Sequence, residues 1–215
     1  AIKLLNDHII SQPNNIELFS LLAHAHILNN DLKNASGYLD KAKSIDPNNA
    51  KVCCNDVRLL VKNKHLTKAL DVAERTHENC PKDIETMVVL AACLRANKRT
   101  EDSLIYLNRA ISLSPNHAEA LINRGLIRLA QENKTGALHD LEAAHKIKPH
   151  INQIWDLVIA LKMEFNQFYE TILLVTKIIQ IDPNHEKSFW ALANCNQELG
   201  DPDIAITSFT RVTEI

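Results

Sequence analysis

The sequence has little of what several protein classes need. Only four glycines and seven prolines occur in 215 residues, too few for an all-β protein that turns at many hairpins. No apolar run approaches the roughly 20 residues of a membrane-spanning helix, and no basic-then-apolar signal segment opens the chain. Lysine and arginine total 24 against 26 for aspartate and glutamate. This balance gives no electrostatic reason to expect nucleic acid or a membrane surface as a partner.

The common motifs of catalytic and metal sites are also missing. None of G-x-x-x-x-G-K, G-x-G-x-x-G, G-x-S-x-G and H-E-x-x-H occurs. Ten histidines are present, but no two have the i, i+4 spacing that places two metal ligands on one helix face. Five cysteines without C-x-x-C spacing are typical of reduced thiols in the cytosol. We therefore expect no enzymatic activity, no cofactor and no metal in this chain, and a cytoplasmic location.

What the sequence does contain is a strict repeat. Prolines at positions 13, 47, 81, 115, 149 and 183 are each 34 residues apart, within related stretches such as IDPNN and IDPNH. A fixed period of about 20–50 residues is the signature of a solenoid. Because proline ends helices and restricts the residue before it, each of these prolines predicts the end of a helix.

Each repeat carries two blocks of apolar residues with helical spacing. In residues 16–49 the blocks are Phe19, Leu22, Ala23 and His26, followed by Ala35, Tyr38, Leu39, Ala42 and Ile45. Steps of three and four residues place each block on one face of a helix. Asn29, Asn30 and Asp31 lie between the blocks, and asparagine tolerates the left-handed conformation of a tight turn between helices.

The order of residue types resembles the tetratricopeptide repeat, a 34-residue helix–turn–helix unit with the pattern W-x2-L-G-x2-Y, A-x3-F, A and P. The first repeat has Phe19, Leu22, Ala23, His26, Ala35, Leu39, Ala42 and Pro47 at these places. The resemblance covers the whole chain and implies an all-α, right-handed α-solenoid (superhelix). Its six repeats would be residues 16–49, 50–83, 84–117, 118–151, 152–185 and 186–215, after residues 1–15 as the trailing helix of a preceding unit.

Small residues are expected where the two helices of a repeat touch, because close approach needs side chains no larger than a methyl group. The pairs are Ala23 with Ala35, Gly125 with Ala137, and Ala193 with Ala205, while Ala91 and Ala69 occupy such places singly. In the fifth repeat these places hold Ile159 and Thr171. The larger side chains predict a wider helix pair or a local change in curvature. Asp56 replaces an expected leucine in the second repeat and needs a partner or solvent.

In this family the first helix of each repeat lines a concave groove that binds peptides or partner helices. On that resemblance, the second, fifth, sixth, ninth, twelfth and thirteenth places of each repeat face the groove. The predicted groove residues are Lys51, Asn55, Arg58, Lys62 and Arg95 at a basic end, then Val88, Ile122, Asn123, Leu126, Leu129 and Met163 in the middle. Asp156, Glu164 and Glu198 would form an acidic end. Alternatively, the charged residues of this set do no more than solvate an exposed face.

The carboxylate clamp of chaperone-binding members is not reproduced, since only Asn55 of its five places matches when the pattern is started at the first repeat. Asn55 and Asn123 are similar to the asparagine ladder of arrays attached to O-linked sugar transferases, in two of six repeats. The main hypothesis is a protein-interaction scaffold that binds a peptide or helix of a partner. Two alternatives remain: the substrate-recognition arm of a larger enzyme such as a transferase, and an array that self-associates through uncapped ends as a homo-oligomer.

Overall fold

The computed structural model describes residues 2–12, 14–150 and 152–214, and these contain thirteen α-helices, one 3-10 turn and no β-strand. The helices are α1 Ile2–Ser11, α2 Ile16–Leu28, α3 Leu32–Ile45, α4 Ala50–Lys62, α5 Leu66–Asn79, α6 Ile84–Ala96, α7 Thr100–Leu113, α8 Ala118–Ala130, α9 Lys134–Ile147, α10 Trp155–Glu164, α11 Phe168–Ile181, α12 Glu186–Leu199 and α13 Pro202–Glu214. The 3-10 turn is Asn152–Ile154. Predictions that involve Ala1, Pro13, Ile151 and Ile215 lie outside the described residues.

The second helix of each of the first five repeats ends two residues before its proline. For example, α3 ends at Ile45 before Pro47, and α11 ends at Ile181 before Pro183. Four first helices, α2, α4, α6 and α8, begin at side-chain caps. In α2, Oδ1 of Asn15 accepts from the backbone N–H of Glu17 at 2.9 Å. Such caps satisfy backbone donors that have no partner within the helix, which is why the helix begins there.

The turn between the two helices repeats with the same period. One residue in each turn has a left-handed backbone, and these residues are Asn30, Lys64, Lys98, Glu132, Asn166 and Gly200. The left-handed turn predicted among Asn29, Asn30 and Asp31 is found at Asn30, with a φ of 58°. Lysine and glutamate hold the same conformation in three repeats, although it is unfavourable for residues with long side chains. The conformation is therefore imposed by the packing of the two helices and not by the residue itself.

The chain forms two compact units, residues 1–115 and residues 116–215, here called the N-terminal and C-terminal units. In the N-terminal unit, the first helices α2, α4 and α6 pack on one another in order, and each packs on the second helix of its own repeat. In the C-terminal unit, consecutive helices from α8 to α13 pack on one another, and α10 also packs on α12. Each unit is thus a stack of helical hairpins, and the fold class is an all-α solenoid of helical repeats.

Small residues lie at the contacts within repeats, as predicted. Ala23, Ala35 and Ala137 are fully buried. A Cβ atom added to Gly125 would lie 3.0 Å from the side chain of Leu141, which is closer than ordinary van der Waals contact, so Leu141 would have to shift. Glycine therefore permits the close approach of α8 and α9.

The fifth repeat departs from the others at its start. Its first helix α10 begins at Trp155 after the 3-10 turn, three residues later in the repeat than the other first helices begin. The sequence has isoleucine at position 151, where Asn15, Asn49 and Asp83 stand as caps in earlier repeats. Isoleucine has no side-chain acceptor and therefore cannot supply such a cap.

The carboxylate of Asp56, which was predicted to need a partner or solvent, has an ion-pair partner. Asp56 on α4 pairs with Nζ of Lys43 on α3, at 2.7 Å from its Oδ1. The carboxylate is therefore not left uncompensated where the repeat pattern expects leucine.

Candidate protein-interaction face

The predicted basic groove residues lie on the first helices of the N-terminal unit. We call this surface the basic face and define it by the residues at the groove places of α2, α4 and α6. Its charged members are Glu17, Lys51, Arg58, Lys62, Glu85 and Arg95, four cations and two carboxylates. The face therefore has an excess of positive charge, although the whole chain has a net charge of −2.

Asn55 is the centre of a hydrogen-bond network that joins α2 to α4. Its Nδ2 donates to the backbone carbonyl of Ser20 at 2.9 Å and to the Ser20 hydroxyl at 3.0 Å. Nδ1 of His24 lies 3.1 Å from Oδ1 of Asn55, and Nη1 of Arg58 donates to the same oxygen at 3.3 Å. An amide group offers two N–H donors and one carbonyl oxygen, so all of its hydrogen-bonding capacity is in use.

This network changes how Asn55 is interpreted. The side chain is buried, and it could bind the backbone of a peptide only by breaking its bonds to the protein itself. Asn55 thus acts as a structural link between repeats 1 and 2, and a direct contact with a partner stays a prediction.

Arg58 extends the network to the third helix of the face. Its Nη2 forms an ion pair with Oε1 of Glu85 in the first turn of α6. The guanidinium is 17% exposed and the Glu85 side chain is 38% exposed. Side chains from α2, α4 and α6 are consequently connected in one chain of polar contacts.

The other cations of the basic face are more accessible. Nζ of Lys51 lies 3.2 Å from Oε1 of Glu17, but both side chains are 71% exposed, so solvent screens this pair. Lys62 at the end of α4 and Arg95 near the end of α6 are exposed. Lys51, Lys62 and Arg95 are therefore cations of this face that a partner can reach.

The apolar part of this face is not where the sequence pattern places it. Val88 on α6 is fully buried, so it offers no surface to a partner in this structure. Its place in the repeat is covered because α6 lies inside the stack, against α4, α5 and α7. Instead, Leu21 and Leu28 on α2 are 53% and 65% exposed. Both occupy groove places of the first repeat, so the same counting rule could have identified them.

The remaining predicted groove residues belong to the C-terminal unit. Ile122, Leu126 and Leu129 follow one another along α8, and each is partly exposed, as is Met163 on α10. Asn123 is buried, and its Nδ2 donates to the backbone carbonyl of Glu119 one turn earlier, at 2.9 Å.

The predicted acidic end is largely neutralised by lysines of the same unit. Asp156 forms an ion pair with Lys187, and Glu164 forms one with Lys134. Glu198, the third of the predicted acidic residues, is exposed. A strongly acidic surface is therefore not formed by these three side chains.

Sequence reasoning missed a buried charge cluster in the fourth repeat. Asp140 on α9 is fully buried and accepts hydrogen bonds from Nε and Nη2 of Arg124 at 2.8 and 2.7 Å, and from Nη1 of Arg128 at 2.8 Å. The two arginines are one turn apart on α8. Arg124 stands at a place that is apolar in four of the six repeats, and this was the signal that could have revealed the cluster.

The described residues offer little for covalent or metal chemistry. Burial raises the pKa of the Cys54 and Cys93 thiols to about 12 each, which keeps both in the unreactive protonated form. Within residues 2–12, 14–150 and 152–214, no group of three or more His, Cys, Asp or Glu side chains could hold a metal ion. Across the same ranges no helix is long and apolar enough to span a membrane.

Comparison with known proteins agrees with the repeat architecture. A sequence model of the tetratricopeptide repeat family matches residues 16–49 and 84–117, which coincide with the first and third predicted repeats. The other repeats share the 34-residue period of helix ends and left-handed turns. Two of the six repeats thus match the tetratricopeptide repeat family. No curated protein sequence matches the chain.

Solved structures with the same fold include other tetratricopeptide repeat proteins. PilF of Pseudomonas aeruginosa is 15% identical with a TM-score of 0.72, over 93% of this chain and 90% of that one. MamA (residue 41 to the end) from Desulfovibrio magneticus RS-1 is 22% identical with a TM-score of 0.60, over 77% and 93%. A chain of the APC/C heterotetramer Cut9–Hcn1 is 13% identical with a TM-score of 0.69, over 98% and 42%. At these identities the likeness concerns the fold alone. Tetratricopeptide repeats in general support a role as a protein-interaction scaffold.

Proposed function

We propose that this tetratricopeptide repeat protein is an interaction scaffold whose basic face binds an acidic, amphipathic segment of another protein. The observation that carries the proposal is the combination of exposed cations and exposed leucines on the first helices of one unit. Lys62 and Arg95 supply accessible positive charge, while Leu21 and Leu28 supply accessible apolar area. A segment with carboxylates and apolar side chains complements both.

The hydrogen-bond network supports this proposal because it makes the face rigid. Asn55 joins α2 to α4 and accepts a hydrogen bond from Arg58. A surface that is already ordered loses little conformational entropy when a partner binds, so more of the contact energy appears as affinity.

The two leucines argue against simple solvation of the face. They are seven residues apart, which places both on the same side of α2 after two helical turns. Exposed apolar side chains aligned in this way on a polar face are typical of interaction sites.

The test uses a fluorescein-labelled helical peptide with leucine along one side and glutamate along the other, and a second peptide with glutamine in place of glutamate. Fluorescence anisotropy would measure binding of both. Reversing the two accessible charges, Lys62→Glu with Arg95→Glu, should weaken binding of the glutamate peptide about tenfold, because two attractive surface charges become repulsive. The glutamine peptide should be affected much less.

A matched control reverses two exposed charges elsewhere in the same unit. Lys68→Glu with Arg75→Glu lies on α5, a second helix, and causes the same change in net charge. An equal loss in both double variants would mean that only total charge matters. No loss in the Lys62/Arg95 variant would show that the basic face is not the binding site.

A further inference from the structure

We propose that Glu85 acts as an internal competitor for the binding partner. Its carboxylate occupies, at Arg58, the position that a carboxylate of the bound acidic segment takes, and it must be displaced for full binding. The inference rests on the function proposed above and adds to it a residue that sets how strongly acidic segments bind.

The guanidinium of Arg58 is held in an orientation in which it can bind a carboxylate. Nη1 donates to Oδ1 of Asn55 at 3.3 Å, and Asn55 is itself fixed by two hydrogen bonds to Ser20. One contact that orients the guanidinium is therefore independent of Glu85. Because a guanidinium presents its N–H groups in a rigid fork that matches a carboxylate, a second carboxylate can take the place of the first.

Glu85 is the partner that can leave. Its side chain is 38% exposed, against 17% for Arg58. Glu85 lies in the first turn of α6, next to solvent, whereas movement of Arg58 would break its bond to Asn55. Ion pairs with one partly exposed partner contribute little net stability, so an incoming carboxylate can compete with Glu85 for the guanidinium.

The consequence is a face that partly inhibits its own binding of acidic segments. As long as Glu85 remains at Arg58, a carboxylate of the partner meets a like charge there. The pair formed by Lys51 and Glu17 does not act in this way, because both side chains are 71% exposed and solvent screens their interaction. Arg58 is therefore the position at which an internal carboxylate most directly controls binding.

Two substitutions test this proposal with the glutamate and glutamine peptides described above. Glu85→Gln removes the competing charge. Glu85→Asp keeps the charge but shortens the side chain by one methylene, which withdraws the carboxylate from Arg58. Both should bind the glutamate peptide more tightly, by about fivefold for Glu85→Gln, which is the upper range for a partly exposed ion pair. Binding of the glutamine peptide should not change.

The matched control is Glu17→Gln, which removes one carboxylate from the same face without releasing Arg58. Adding Arg58→Lys to Glu85→Gln should abolish the gain, because lysine keeps the charge but lacks the fork. Circular dichroism melting of each variant would verify that it remains folded.

The outcomes separate this inference from the proposed function. Equal gains in Glu17→Gln and Glu85→Gln, with none in Glu85→Asp, would overturn the competitor role, since only the net charge of the face would matter. Unchanged binding in both Glu85 variants, with weaker binding in the Lys62/Arg95 variant, would overturn it and leave the proposed function standing. Absence of binding to the glutamate peptide in every variant would overturn both.

Discussion

Buried polar groups link helices in both units, but they link different helices. In the N-terminal unit, the neutral amide of Asn55 joins the first helices of two successive repeats. In the C-terminal unit, the carboxylate of Asp140 joins the two helices of one repeat through Arg124 and Arg128. The stability of a repeat protein is approximately the sum of the stabilities of its repeats and of the interfaces between them. The two residues therefore act on different parts of that sum, Asn55 on an interface and Asp140 on a repeat.

The two units also use charged residues differently. The Asp140 cluster is buried and fully paired, so it contributes to folding and not to recognition. The basic face has partly exposed charges, some of them accessible to a partner. A buried ion pair is not necessarily stabilising relative to apolar residues, but the loss of one partner is costly because it leaves a buried charge uncompensated.

The largest effect is expected from Asp140→Ala. This change leaves Arg124 and Arg128 without their shared carboxylate, and should lower the free energy of unfolding by about 3 kcal/mol. Urea unfolding followed by circular dichroism measures the loss, with Lys146→Ala at an exposed position of the same helix as the control. A loss below about 1 kcal/mol would mean that both arginines reach solvent easily, and that the cluster is not an internal support of the fourth repeat.

A smaller loss is expected from Asn55→Ala. Removing the amide leaves the buried hydroxyl of Ser20 with fewer partners, and should cost about 2 kcal/mol. Because the lost bonds cross between repeats, hydrogen exchange should increase mainly in α2 and α3, whereas for Asp140→Ala it should increase in α8 and α9. Asn48→Ala, in an exposed turn, is the control. The same exchange pattern in both variants would contradict the distinction between interface and repeat.

The smallest effect is expected at the turns, which are alike in both units. Lys98→Gly in the N-terminal unit and Glu132→Gly in the C-terminal unit both replace a residue with a left-handed backbone, with φ of 63° and 61°. Relief of this conformation exceeds the entropic cost of glycine, so each change should stabilise its protein by about 0.5 kcal/mol. Lys68→Gly within α5 should instead destabilise by about 1 kcal/mol. A gain at one turn only would show that the two units impose the turn differently.

Much of the fold could be predicted from local signals. The proline at the end of each repeat and the apolar spacing between prolines predict the helix ends, because proline acts on its own backbone and on the residue before it. Small residues such as Ala23 and Gly125 likewise mark helix contacts, since only a small side chain permits close approach. The resemblance to the tetratricopeptide repeat, and the all-α solenoid that it implies, were correct for the same reason.

The candidate site was predicted less completely. Counting places within a repeat located Lys62 and Arg95 on the accessible face, but it treated Val88 and Asn55 as equally available. Val88 is fully buried and Asn55 is saturated with hydrogen bonds. Whether a place is covered depends on the neighbouring helices, and a position number within one repeat contains no information about them.

The sequence by itself determined the period, the helices and the turns of this protein, because each depends on residues within one repeat of 34. Only the tertiary structure decided which polar groups already form hydrogen bonds or ion pairs within the protein. Glu85 meets Arg58 across 27 residues, and Asn55 meets Ser20 across 35. Such contacts depend on the distance and angle between packed helices, and these follow from side-chain packing over the whole stack.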